Sequence, residues 1–200
     1  MLLAAQTDWE APQQTNTPEK RKANVRQGET EEYKYAKYLG DVVPMKDGEV
    51  VWERTYENNK DAETNYTVML NFLTGMSKED GQLPESRVAL VSKSERKIVC
   101  NFAEWLVFSS TVLSLDRTEM DYTLSCECYD NKVVVKIFRI RYVYEENRHG
   151  GQRFTAEEWI TDKYALNKKK TKLAKFSGKF RRCTVDRMDM ILDNIGVVIQ

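Results

Sequence analysis

The most regular alternation of apolar and polar residues runs from residue 120 to residue 146, on both sides of Asp130-Asn131. A period of two is typical of strands with one buried face. Asp-Asn suits a tight turn that needs left-handed backbone. A two-residue loop fixes the register and pairs Tyr129 with Lys132, Cys128 with Val133, Cys126 with Val135 and Leu124 with Ile137. The pattern therefore predicts a β-hairpin at the centre of an antiparallel sheet.

The two faces of this predicted hairpin differ in polarity. The apolar face carries Leu124, Cys126, Cys128, Val133, Val135 and Ile137, and the polar face carries Thr123, Ser125, Glu127, Tyr129, Lys132 and Lys136. Beyond Ile137 the apolar residues change parity, and Arg139 and Arg141 fall on the side that was apolar. A bulge near Arg139 would account for this reversal, and so would a second packing layer.

Weaker patterns predict the remaining elements. They are a strand at 50–56, a helix at 61–75 that ends at Gly75, strands at 87–91 and 97–108, a connection at 109–119, a short helix from a Thr155/Glu158 capping box, and a last helix at 184–199 capped by Thr184. The predicted order is β-α-β-β-β-β-α. This gives an α+β fold in which two main helices pack on the apolar face of one curved antiparallel sheet.

Composition narrows the function classes. The 200 residues are 41% apolar, with 31 Lys+Arg against 31 Asp+Glu. The length fits one domain with appendages, and the zero net charge favours neither nucleic acid nor membrane as a general partner. Without an apolar run of about 18 residues, no transmembrane helix is predicted.

The first 32 residues differ from the rest. Residues 1–6 (MLLAAQ) have the character of the end of a signal peptide cleaved near Ala5-Gln6, although an ordinary cytosolic N-terminus is the alternative. Residues 7–32 are polar, which predicts a disordered tether or a frayed terminus. We expect the domain itself to span residues 38–199.

No metal or cofactor site is predicted. Cys100, Cys126, Cys128 and Cys183 form no CxxC motif, and His149 is the only histidine. Cys126 and Cys128 lie two apart on one strand, a geometry that disfavours a bond between them. We expect buried thiols, although a disulfide from one of them to Cys100 or Cys183 would be compatible with export.

One segment is strongly basic. Residues 163–182 contain nine Lys and Arg residues and no acid. The candidate contacts for an anionic partner are Lys168, Lys169, Lys170, Lys172, Lys175, Lys179, Arg181 and Arg182. The alternative is a solvated surface balanced by nearby acids.

Four stretches carry a family resemblance. They are residues 43–52 (VPMKDGEVVW), the hairpin YTLSCECYDNKVVVKIFRIRYVYEE, AEEWITDKYALNKKKTKL at 156–173 and KFRRCTVD at 179–186. With them, residues 38–199 resemble a family of domains of unknown function that has a TATA-binding-protein-like (TBP-like) fold and occurs in secreted or envelope proteins of Gram-negative bacteria. The resemblance implies this fold and an exported location, but no activity and no binding residue.

Three functions follow as hypotheses. The first is a non-enzymatic envelope or periplasmic module that binds a partner or is structural; a cytoplasmic location is the alternative. The second is nucleic-acid binding through residues 163–182, with Phe176 and Phe180 among the lysines and Arg139 and Arg141 on the hairpin.

The third is an enzyme, which the sequence disfavours because it lacks Walker A, GxGxxG, GxSxG and HExxH motifs. Its candidate acids would be Glu104, Glu157, Glu158 and Asp162, and Glu104 would otherwise mark a sheet edge or a bulge.

Overall fold

A computed structural model describes residues 35–111, 114–144 and 151–200. The predictions for residues 1–6 and 7–32, and the position of His149, lie outside the described residues. A short 3-10 turn, Ala36–Tyr38, begins the described chain.

The strands are β1 (Met45–Lys46), β2 (Glu49–Val50), β3 (Trp52–Glu57), β4 (Arg87–Ser92), β5 (Lys97–Ser110), β6 (Leu115–Tyr129), β7 (Lys132–Tyr144) and β8 (Gln152–Thr155). The helices are α1 (Ala62–Met76), α2 (Ala156–Trp159), α3 (Asp162–Ala165) and α4 (Ser177–Ile199). Strands β1 and β2 form a small hairpin of their own. The main sheet is antiparallel in the order β3-β7-β6-β5-β4, and β8 adds to β7.

The central hairpin is confirmed residue by residue. Strands β6 and β7 pair Tyr129 with Lys132, Cys128 with Val133, Cys126 with Val135 and Leu124 with Ile137. Asn131 takes the left-handed conformation at the turn, with a φ of 60°. Every member of the predicted apolar face is buried. The alternation along the chain was therefore sufficient to define both the register and the buried face.

The predicted bulge is also confirmed. The pairing of β6 with β7 shifts between Asp121 and Thr123, opposite Arg139, which has a φ of 56°. One extra residue on β7 reverses the parity of that strand. Ile140 and Tyr142 consequently point into the core, whereas Arg139 and Arg141 are exposed on the opposite face.

Both long helices pack on the buried face of the sheet, as predicted. Helix α1 contacts β6 and α4, and α4 contacts β5 and β3. Asp61 caps α1 by accepting a hydrogen bond from the backbone N–H of Thr64 at 2.7 Å. The helix runs through Gly75 to Met76, so the predicted end at Gly75 was one residue early. Among the described residues, no helix packs on the other face of the sheet.

The start of the last helix was predicted wrongly. Helix α4 begins at Ser177, seven residues before Thr184, and Thr184 is fully buried within it. Its hydroxyl oxygen lies 2.7 Å from the Tyr142 hydroxyl oxygen on β7. Thr184 therefore satisfies a buried polar group of the sheet rather than capping a helix. The predicted apolar stripe is buried at Val185, Met188, Ile191, Leu192, Ile195 and Ile199. Val198, which was also predicted to belong to the stripe, is instead 37% exposed.

The predicted connection at 109–119 was also wrong. Strand β5 continues to Ser110 and β6 already starts at Leu115, so most of this segment is strand. Thr118 is buried there, and its hydroxyl donates to the Val143 carbonyl oxygen at 2.9 Å. The strand was missed because its sequence is mostly polar. A polar residue such as Thr118 can nevertheless be buried here, because its hydroxyl finds a hydrogen-bond partner on β7.

Glu104 belongs to a buried ion pair, not to a sheet edge. It lies within β5 and points at α4, where Arg187 donates to its two carboxylate oxygens at 2.8 and 2.6 Å. The Gln82 side-chain amide adds a third hydrogen bond at 2.6 Å. Burial of a carboxylate on an apolar face is tolerable because these donors replace the lost water.

The cysteines behave as small core residues. All four are free, and Cys100, Cys126 and Cys128 are buried. Burial raises the pKa of the Cys100 thiol to about 12, so this thiol stays protonated at neutral pH.

Replacing Leu124, which is fully buried on β6, with Ala should lower the free energy of unfolding by about 2–5 kcal/mol because a cavity remains. Urea unfolding followed by circular dichroism measures this loss. Thr123→Ala, on the opposite face of the same strand, is the control and should cost less than about 1 kcal/mol. Equal losses would contradict the assignment of the two faces.

Candidate anion-binding surface

The basic segment folds into a closed loop that leads into α4. Leu166 and Leu173 form an isolated β-bridge, which closes the loop at 167–172. Within it, the Asn167 side-chain oxygen accepts hydrogen bonds from the backbone N–H groups of Thr171 and Lys172, at 2.9 and 3.3 Å. The loop therefore has a defined shape, with lysines projecting from its tip.

The loop joins α4 through a close backbone contact. Gly178, in the first turn of α4, lies against Leu173, and a Cβ at position 178 would stand 2.7 Å from the Leu173 Cβ. The Ser177 hydroxyl donates to the carbonyl oxygen of Tyr164 at 2.6 Å. These contacts bring the loop beside the positive end of the helix dipole.

Arg181 is not available to a partner, contrary to the sequence prediction. Its side chain is fully buried, and it donates to the carbonyl oxygens of Tyr38, Gly40 and Ile160 at 2.7, 2.6 and 3.0 Å. It also forms an ion pair of 2.9 Å with Asp162. Arg181 is therefore an internal anchor that ties α4 to the chain before the sheet and to the segment between α2 and α3.

Lys179 and Lys170 are also engaged by acids. Lys179 donates to both oxygens of Asp116, at 3.0 and 2.8 Å, and to the Tyr144 hydroxyl at 3.0 Å. These partners raise the pKa of Lys179 against the opposing effect of its partial burial. Lys170, at the loop tip, lies 3.2 Å from the second oxygen of Asp162 but remains largely exposed.

Five of the eight predicted contacts remain available. Lys168, Lys169, Lys172 and Lys175 are exposed and Arg182 is partly exposed; within the described ranges, none of them forms an ion pair. We call these five residues the basic surface.

The basic surface borders a cavity of about 330 Å³ at the start of α4. Lys172, Lys179 and Arg182 line it together with Tyr35 and Thr171. Tyr35 and Thr171 are uncharged, so the charge pattern of the sequence did not indicate them. They line the cavity because the tertiary fold brings them there.

The two phenylalanines of the basic segment 163–182 lie in different environments. Phe180 is buried, 1% exposed, in a cluster with Phe108, Tyr142, Tyr144, Phe154 and Trp159. It cannot stack on a base, which removes one of the features that favoured nucleic-acid binding. Phe176, by contrast, is 69% exposed beside Lys175.

The candidate catalytic acids have structural partners. Glu157 accepts a hydrogen bond from the backbone N–H of Val50 at 2.7 Å. Thr155 caps α2, because its hydroxyl oxygen accepts from the Glu158 backbone N–H at 3.3 Å. The Glu158 carboxylate accepts from the Thr155 hydroxyl at 3.2 Å rather than from the Thr155 backbone N–H that a complete capping box would use. Asp162 and Glu104 are held by Arg181 and Arg187 as described above. In the structure these acids serve as ion-pair and hydrogen-bond partners within the fold.

No helix among the described residues is both long and apolar enough to cross a membrane.

Arg181→Met should lower the free energy of unfolding by about 3–5 kcal/mol, because it leaves Asp162 and three carbonyl oxygens without their buried donor. Urea unfolding measures the loss. The neighbouring Arg182→Met is the matched control, which should change stability by no more than about 0.5 kcal/mol since Arg182 forms no ion pair in the described chain. A loss of less than about 1 kcal/mol for Arg181→Met would contradict its role as an anchor.

Comparison with known proteins identifies the family. Residues 56–143 match the family model described as a domain of unknown function (DUF4468) with TBP-like fold. A crystal structure of a DUF4468 family protein from Bacteroides ovatus is 35% identical, covers 82% of this chain and 94% of its own, and has a TM-score of 0.76. A TBP-like protein from Parabacteroides distasonis, 19% identical, shares the fold with a TM-score of 0.65 over 80% of this chain and 97% of its own. No curated protein matches the chain. The chain belongs to the DUF4468 family, a family of unknown function with a TBP-like fold.

Proposed function

We propose that this protein is a non-enzymatic module of the bacterial cell envelope whose basic surface contacts an anionic membrane. The observation that carries the proposal is that Lys168, Lys169, Lys172, Lys175 and Arg182 remain without ion-pair partners in the described chain while Arg181 and Lys179 are satisfied internally. Unpaired lysines gain most from a negatively charged surface, at about 1 kcal/mol for each residue near anionic lipid.

The exposed Phe176 favours a membrane over other anionic partners. Its ring is 69% exposed and directly follows Lys175. An aromatic ring beside basic residues is a frequent arrangement at lipid interfaces, where the ring enters the headgroup region and the charges stay at its surface. The polar segment 7–32, predicted to be a tether, would allow such a domain to reach the membrane.

Vesicle binding tests the proposal. The full chain should cosediment with vesicles of phosphatidylcholine and phosphatidylglycerol but not with phosphatidylcholine alone. Replacing Lys168, Lys169, Lys172 and Lys175 with Gln should weaken binding more than tenfold, given about 1 kcal/mol for each charge. Lys78→Gln/Lys93→Gln, which alters exposed lysines elsewhere, is the control and should bind nearly as the wild type does. Equal binding to both vesicle types would contradict the proposal, and affinity for DNA or RNA that falls with salt would favour the nucleic-acid alternative.

The envelope location has its own test. Fractionation of native cells followed by N-terminal sequencing should find the protein in the envelope or periplasm with a mature N-terminus near Gln6. An intact Met1 in the cytosol would contradict this part of the proposal.

A further inference from the structure

A polar groove lies on the face of the sheet opposite α1 and α4, where no helix of the described chain packs. Its volume is about 280 Å³, just below the range typical of ligand pockets, about 300–1,000 Å³. The side chains on which the argument depends are Arg87, Asn101, Asp121, Thr123, Arg139 and Arg141. They come from four strands, β4 to β7, so the groove is built on the rigid centre of the sheet.

The β7 bulge creates this groove. Without the extra residue, Arg139 and Arg141 would keep the parity of Ile137 and would point into the core. The bulge places both arginines in the groove on the open face, with Arg141 paired opposite Asp121 on β6 and Arg139 as the extra residue of the bulge. The left-handed backbone of Arg139, a non-glycine residue, is an uncommon conformation that tends to occur at functional sites.

Asp121 and Arg141 stand at the centre of the polar groups. Both also line a neighbouring cavity of about 220 Å³. Asp121 is partly buried, and its carboxylate makes no hydrogen bond or ion pair with the residues that the structure describes. Burial raises its pKa, and the charges of Arg141 and Arg153 only partly oppose this. A carboxylate in this setting is an acceptor to which a ligand group could donate.

The net charge of the groove indicates the charge that a complementary ligand should carry. Arg87, Arg139 and Arg141 contribute three positive charges, and Glu85 and Asp121 contribute two negative charges, so the sum is +1. The net positive charge attracts an anion, and a single carboxylate is sufficient to balance it. Guanidinium groups bind carboxylates through paired hydrogen bonds.

We propose that this groove binds a small ligand that carries one carboxylate beside a hydrogen-bond donor. The arginines, with Arg141 at the centre, hold the carboxylate, and Asp121 accepts a hydrogen bond from a neighbouring hydroxyl or ammonium group. Acidic sugars and amino acids share this chemistry. The site lies on the opposite side of the sheet from α4 and does not depend on the basic surface.

Isothermal titration of the full chain with four probes tests the groove. D-Glucuronate and glycine carry both groups, acetate carries only the carboxylate, and D-glucose carries only hydroxyls. Glucuronate or glycine should bind saturably and at least about tenfold more tightly than acetate and glucose, since a charge-assisted hydrogen bond is worth about that factor. Stronger binding of glucuronate identifies the donor as a hydroxyl, and stronger binding of glycine identifies it as an ammonium.

Three variants locate the binding. Arg141→Gln should weaken the tighter probe by about tenfold or more, and Asp121→Asn should remove most of its advantage over acetate. Arg117→Gln changes an exposed arginine that stacks on Trp105 outside the groove, at 3.7 Å from the ring centre, and should bind as the wild type does. The proposal fails if neither two-group probe saturates, if acetate binds as tightly as both, or if Arg141→Gln leaves binding unchanged.

Discussion

The parity reversal in β7 is the constraint on which the rest of the structure depends. Strand β7 pairs with β3, β6 and β8, and one extra residue at Arg139 decides which of its side chains are buried after that point. Before the bulge the strand buries Ile137, and after it Ile140 and Tyr142. Because side chains in a strand alternate strictly, only an inserted residue can keep the hydrophobic side continuous along so long a strand. The bulge is therefore responsible for both the continuous core and the arginines of the open face.

The core that results is held in place by a few polar anchors. Tyr142 meets Thr184, Glu104 meets Arg187, and the buried Arg181 binds three carbonyl oxygens and Asp162. Each anchor joins α4 to another part of the chain through a group that would be costly to bury alone. Apolar packing brings the helix to the sheet, and these pairs specify its position along and around its axis. Helix α4 therefore carries Arg181, a buried anchor, directly beside Arg182, which belongs to the basic surface.

The two candidate surfaces have different origins in this architecture. The basic surface consists of lysines in and just after a loop and of Arg182 in the second turn of α4, and its charges are those that the anchors leave unused. The open-face groove is part of the sheet itself, and it combines opposite charges from several strands. A broad surface of unpaired lysines suits an extended anionic partner, whereas a concave site with both signs of charge suits a small ligand of defined shape. The membership in the DUF4468 family is compatible with either, since the family description assigns no activity.

The sequence by itself determined the fold class, the register of the central hairpin and most of the buried stripes of both long helices, and it offered a bulge near Arg139 as one of two explanations for the change of parity. Each of these follows from a local period of two or of 3.6 residues, which can be read from a short stretch of sequence even when the tertiary partners are not known. Tertiary structure alone decided that α4 starts at Ser177, that residues 115–119 are strand, and that Arg181 is buried while Lys168 and Lys169 are exposed. These outcomes depend on partners far along the chain, such as Tyr38 for Arg181 and Tyr142 for Thr184. A charged or hydroxyl side chain has the same local pattern whether it meets such a partner or water, so only the assembled fold distinguishes the two.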